Sequence, residues 1–332
     1  MIEGVLIAIL AGLLLGLYAL PEKFTKDFEF ENTWGLFFAI NTFVIPNIAA
    51  FLLIDGFSEV LAAIPASVLL GMVVSSLLWG IGVMMWGKAI NYIGLSLGFS
   101  IFIGTIILVG SLIPFAVDGL PASNIFSTIL GGIFVVLLGV IANGKAGMLR
   151  AQNDDTNGEN RSMTTGILIA VVGGLLATGF SYANTVGTPV INQTVLAQGN
   201  PSWMSSVAVM YVIYMSGGLA IAAYFGYQLS VKKLWGQFKT PSFGRNISLC
   251  TVMAIFNFAA SAVFAYAAIS LGEVGNSVGY AIFNTVSVAV AIVSGIVTKE
   301  WVGASSKAKT FLYVGLASMI IGIVIISFGN SL

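Results

Sequence analysis

Ten runs of apolar residues alternate with short polar connections along the chain, at roughly residues 2–20, 34–54, 66–87, 91–115, 124–142, 163–184, 203–227, 246–270, 275–297 and 309–329. A helix rising about 1.5 Å per residue needs about 20 such residues to cross a bilayer core about 30 Å thick. Strands of a membrane barrel would alternate apolar and polar positions, whereas these runs are continuous, so the pattern predicts helices. Hydrophobic residues make up 58% of the 332 and charged residues only 8%. That leaves too little charge to cover a water-soluble surface of this size, and the fold class is an all-α polytopic membrane protein. The first run follows Glu3 and ends at Tyr18-Ala19-Leu20-Pro21, without the basic start and small-residue cleavage site of a signal peptide, so it reads as a retained helix.

Charge orients the segments. Lys23 and Lys26 fall in the first connection and Lys88 in the third; Lys145, Arg150 and Arg161 fall in the fifth. Lys232, Lys233, Lys239 and Arg245 fall in the seventh, and Lys299, Lys307 and Lys309 in the ninth. These are all 13 basic residues, and the even connections and both termini carry none. The positive-inside rule then puts the odd connections in the cytoplasm and both termini outside, in an inner membrane.

A ten-residue stretch occurs twice. Ile93-Gly94-Leu95-Ser96-Leu97-Gly98-Phe99-Ser100-Ile101-Phe102 opens segment four, and Val274-Gly275-Asn276-Ser277-Val278-Gly279-Tyr280-Ala281-Ile282-Phe283 opens segment nine. The first copy follows Lys88 and the second follows Glu273, so one motif enters the membrane from opposite faces. The longest polar stretch lies between segments five and six, and five is odd. The expected organisation is therefore a first repeat over 1–142, a cytoplasmic linker over 143–162 and an inverted second repeat over 163–332, a plan common among transporters. The spacings Gly94-x-x-x-Gly98 and Gly275-x-x-x-Gly279 put two glycines on one helix face, suited to close packing or to hinging.

Polar side chains in mid-membrane are costly unless they face protein or water, so they mark a candidate site. Near the midplanes lie Asn41, Asn47, Trp79, Ser100 and Thr105 in the first half, then Tyr211, Tyr214, Asn257, Tyr280, Asn284, Thr285 and Ser287 in the second. Amides exchange hydrogen bonds with hydroxyl groups, and Trp and Tyr rings stack on the C–H face of a sugar. Trp79, Asn41, Asn257, Tyr280 and Asn284 are the expected contacts for a neutral solute. No Asp, Glu, Lys or Arg lies deep in a segment, which disfavours charged substrates and leaves Glu273 as the nearest candidate for proton coupling. The chain has no histidine, no metal-ligand cluster, no phosphate-binding loop and no paired carboxylates within a segment, so neither an enzyme nor a cofactor is expected. Zero net charge gives no reason to expect nucleic acid, and the lone Cys250 precludes an intrachain disulfide.

Several stretches resemble the L-rhamnose–proton symporter family of the drug/metabolite transporter superfamily. They are Leu17-Tyr18-Ala19-Leu20-Pro21, Trp34, Leu78-Trp79-Gly80-Ile81-Gly82, the first copy of the repeated stretch, Gly104 to Leu112, and Lys299-Glu300-Trp301. The resemblance is strongest in segments one to four; Val83 and the run Gly279 to Asn284 depart from the family's pattern. It implies two inverted five-helix repeats around a cavity walled by segments one to four and six to nine, with Trp79 facing that cavity. The expectation is a secondary transporter taking up a neutral, L-rhamnose-like sugar by alternating access with proton coupling, its partners being sugar, protons and lipid, with a homodimer compatible. Two alternatives are an exporter of amphipathic or amino-acid-like metabolites on the same fold, and a membrane sensor or structural protein that transports nothing.

Overall fold

The computed structural model describes residues 2–151 and 162–332. Thirteen α-helices occur among them: α1 Ile2–Leu17, α2 Phe30–Phe43, α3 Ile45–Leu53, α4 Phe57–Ala62, α5 Ala66–Ile93, α6 Leu95–Asp118 and α7 Ser123–Ala151, then α8 Met163–Ala177, α9 Gly179–Ala197, α10 Trp203–Val231, α11 Phe243–Leu271, α12 Gly275–Val297 and α13 Ser306–Gly329. Together they make ten spans long and apolar enough to cross a membrane. Segment two is α2 with α3, segment six is α8 with α9, and α4 is a short helix between spans. The protein is a multi-pass membrane protein.

The breaks have local causes. Pro46 lacks the N–H that would bond to the carbonyl of Thr42, and the chain turns at Val44, so segment two is two helices rather than one. Segment six bends at Thr178, whose hydroxyl donates to the carbonyl of Leu175 at 2.6 Å, and it runs on to Ala197, past the expected end at 184. Segment five also runs further than expected, as helix to Ala151, so the first nine residues of the expected linker are helical; its central residues 152–161 lie outside the described residues.

Without a hydrophobic drive between helices in lipid, close backbone approach must supply van der Waals contact, and glycine permits it. Helices α7 and α13 meet at Gly132 against Gly322 and Gly139 against Gly315, where an added Cβ on one would strike the backbone of the other. Other close pairs are α5 with α8, α1 with α11 and α12, α10 with α5, α6 with α7 and α8, α2 with α10 and α11, α6 with α12, and α12 with α13. The sequential hairpins α5–α6 and α11–α12 pack antiparallel, as their short connections require. The glycines of the repeated stretch face their own hairpins. Gly98 lies by Ile90, and Gly275 lies against the carbonyl of Ala268, while nothing approaches Gly94. Gly279 makes ordinary contacts with Leu271 and Phe264.

Candidate functional site

The middle of the bundle is a polar and aromatic cluster shared by six helices. From α2, the amide of Asn41 donates to Asn257 Oδ1 on α11 at 3.0 Å. The Tyr214 hydroxyl on α10 reaches the same oxygen at 2.8 Å and lies 2.6 Å from the hydroxyl of Ser261, one turn along α11. Asn41, Tyr214 and Ser261 are buried, whereas Asn257 is half-buried. Asn41 Oδ1 is buried and has no hydrogen-bond partner among the described residues. A buried acceptor left so costs about 1–3 kcal/mol, a penalty that a solute hydroxyl would relieve.

Rings continue the cluster across the bundle. Trp79 on α5 lies 5.5 Å from Tyr214 and 5.4 Å from Phe180 on α9. Phe180 in turn lies 6.3 Å from Tyr280 on α12 and 6.0 Å from Phe264 on α11. Tyr280 is buried and Trp79 half-buried. The polar groups here are amides, hydroxyls and the Trp79 indole N–H, all uncharged and set among aromatic faces. This chemistry can hold an uncharged solute by hydrogen bonds on one side and C–H/π contact on the other.

Four of the five expected contacts, Asn41, Trp79, Asn257 and Tyr280, fall in this cluster. Asn284 touches it only through its own helix, its amide donating to the carbonyl of Tyr280 one turn back at 2.9 Å. Thr105, Thr285 and Ser287 likewise bond to carbonyls of their own helices. Asn47 donates to the Phe43 carbonyl and to Met215 Sδ. Glu273 is exposed in the turn between α11 and α12, sixteen residues along the chain from Asn257. Phe180 and Ser261 were not anticipated. An aromatic and a hydroxyl inside apolar runs carry no signal beyond their depth.

Helices α6 and α12 cross beside this centre, and the C-terminal half of α6 is sealed against the N-terminal half of α12. Pro114 has no N–H to offer the carbonyl of Gly110, which accepts instead from Ser181 at 2.6 Å. Ser277, from the second copy of the repeated stretch, donates to the carbonyl of Ser111 at 2.6 Å, and the Tyr280 ring occupies the place where a Cβ on Gly110 would sit. Asn184 donates to Asn276 at 2.9 Å on the same side.

The other end of the bundle carries the basic residues and their ion pairs. Glu300 takes hydrogen bonds from Lys23 and from Thr298, and Arg150 stands 3.7 Å from it with its guanidinium over the Trp301 ring. The Lys23 ammonium holds the Glu300 carboxyl below the usual carboxylate range, with Thr298 and Arg150 adding to the effect. Asp27 accepts from Thr240 and Ser242, Asn246 exchanges two hydrogen bonds with the backbone of Lys26, and Glu31 pairs with Lys232. Glu22 accepts from the buried Trp34 indole at 2.6 Å.

The fold and this centre define a polytopic membrane protein whose helices converge on an uncharged polar core. The chain belongs to the L-rhamnose-proton symport protein family, whose profile matches residues 1–331. It is 25% identical over 325 residues to the L-rhamnose-proton symporter of Citrobacter koseri, covering 93% of this chain and 92% of that one. The proteins of the same name from Escherichia coli and Yersinia pestis are each 24% identical, with the same coverage. These relatives are named as transporters, not as enzymes.

Proposed function

We propose that the chain is an inner-membrane secondary transporter that takes up L-rhamnose or a closely similar neutral sugar together with a proton. The carrying observation is the centre itself, where Asn41, Trp79, Tyr214, Asn257 and Tyr280 from five helices meet with no charged group among them, in a member of this family. Neutral donors and acceptors suit a polyol, whereas an ionic solute would need a buried counter-charge.

Alternating access between two inverted five-helix halves, as in the drug/metabolite transporter superfamily, is the proposed mechanism. Helix packing supports it. Segments three and six pack as eight and one do, four and six as nine and one, three and seven as eight and two, and four and five as nine and ten. The pairs two–seven, four–nine and five–ten map onto themselves when the halves are exchanged. The halves would be 1–142 and 163–332 joined by 143–162, with both termini outside, a topology that the basic residues at one end favour. Glu273 is the proposed coupling carboxylate, and the Gly94, Gly98, Gly275 and Gly279 hairpins the flexing elements.

The test is uptake of labelled L-rhamnose into proteoliposomes with and without an imposed pH gradient. Gradient-driven accumulation is expected, and Glu273→Gln should abolish accumulation while leaving exchange. Equilibration without accumulation would overturn the coupling. Failure to take up any neutral sugar would overturn the substrate class, and Trp79→Ala with unchanged affinity and rate would overturn the site.

A further inference from the structure

Below the sealed outer halves, α6 and α12 part, and a cavity of about 290 Å³ lies between their cytoplasmic halves. Its wall is two-faced. Val288, Ala291 and Ile292 of α12 make one side apolar, while Arg150, Glu300 and Trp301 supply charge and an aromatic face on the other. Trp86 of α5 also lines it, stacked at 6.2 Å on Phe102. The Trp86 indole N–H is buried and has no hydrogen-bond partner among the described residues. Among the described residues the Arg150 guanidinium stands 3.7 Å from Glu300 and over the Trp301 ring.

Position adds to chemistry. Trp86 follows Trp79 by seven residues, two turns of α5, so both rings fall on one helix face about 10 Å apart. The central cluster and this cavity are thus successive points on one route, and the cavity stands at its cytoplasmic end. Its volume is close to the lower bound of about 300 Å³ for small-molecule sites, room for one monosaccharide and little more.

We propose that this cavity is a second sugar-binding station on the cytoplasmic side, in which Trp86 donates to a sugar hydroxyl, Arg150 and Glu300 hold the hydroxyl-rich edge, and the α12 wall receives an apolar edge. The inference rests on the transport reading above. A 6-deoxyhexose fits both faces, because its methyl group meets Val288, Ala291 and Ile292 where the parent hexose would bury a hydroxyl without a partner. The station therefore favours L-rhamnose over L-mannose, and does so from the cytoplasmic face.

The experiment compares half-saturating sugar concentrations for exchange at the two faces, using right-side-out and inside-out vesicles that carry the full chain. Trp86→Phe keeps the ring and removes the N–H; the cytoplasmic value for L-rhamnose should rise about three- to tenfold and the outer value change less than about twofold. Ala291→Phe fills the cavity and should abolish saturation from the cytoplasmic face. Unmodified protein should prefer L-rhamnose to L-mannose more strongly at that face, a readout that stands if either variant fails to fold. Equal effects of Trp86→Phe on both faces, no effect at all, or equal sugar preference on the two faces would each overturn the station and leave the transport reading intact. No exchange of any neutral sugar by the unmodified protein would remove both.

Discussion

The two copies of the repeated stretch share half their residues and have different surroundings. In the second copy Gly275, Ser277, Val278, Gly279 and Tyr280 are all buried, and Ser277 is bonded to the facing helix. In the first, Gly94 is exposed with nothing near it, and Phe99 and Ser100 border the cavity between α6 and α12. The α6–α12 seam is therefore closed at one end and parted at the other. Sequence alike and packing unlike is what one state of an alternating machine would show, because exchanging the roles of the halves yields the opposite state without new contacts. Proline sharpens the difference. Pro114 frees a carbonyl on α6 at the sealed end, and Ser181 takes it.

The sharpest way to break this asymmetry is Gly110→Val. The added carbons meet the Tyr280 ring, and overpacking of this kind costs about 1–3 kcal/mol, enough to shift the balance between an open and a sealed α6–α12 seam about 5- to 150-fold. Labelling of a cysteine placed at the buried Val278, in a Cys250→Ser background and from the side of the sealed end, should rise accordingly; unchanged labelling would mean that the seam does not close the path.

Removing single hydrogen bonds at the sealed end should do less. Ser277→Ala and Asn184→Ala each delete one interhelical bond, worth about 0.6 kcal/mol on average in a membrane, or about threefold in the same labelling. Rises beyond tenfold would point to a wider network than these two bonds.

The smallest effect concerns Glu300. Its folded carboxyl is held below the ordinary range, so the stability it adds is present above the unfolded value of about 4.3 and lost only as pH falls through the lowered one. Glu300→Gln should therefore lower thermal stability slightly and by the same amount at every pH from 6 to 8, since the pair is partly exposed. A difference that titrates within that range would make Glu300, rather than Glu273, the proton site.

Much of the fold was legible because depth in a bilayer is written in apolar length and basic loops. The ten spans follow from both, and Pro46 announces the break in segment two. The bend at Thr178 has no such mark, since Pro189 lies well beyond it. Depth also singled out amides that the structure brings together, but depth does not say which way a side chain points around its helix. Asn41 and Asn257 face each other, whereas Asn284 sits equally deep and bonds to its own helix. Trp86 offered a readable signal in its heptad spacing from Trp79. The Lys23–Glu300–Arg150 cluster, assembled from three separate connections, offered none.

Binding of tritiated L-rhamnose to the purified protein and to its Asn257→Ala variant tests the central claim most directly. Asn257 bonds to both Asn41 and Tyr214, so its loss leaves two polar groups without the partner that fixes them. Saturable binding by the unmodified protein, weakened at least about tenfold in the variant, is the predicted result. Equal binding by the two, or none by either, would contradict a sugar site at the uncharged centre.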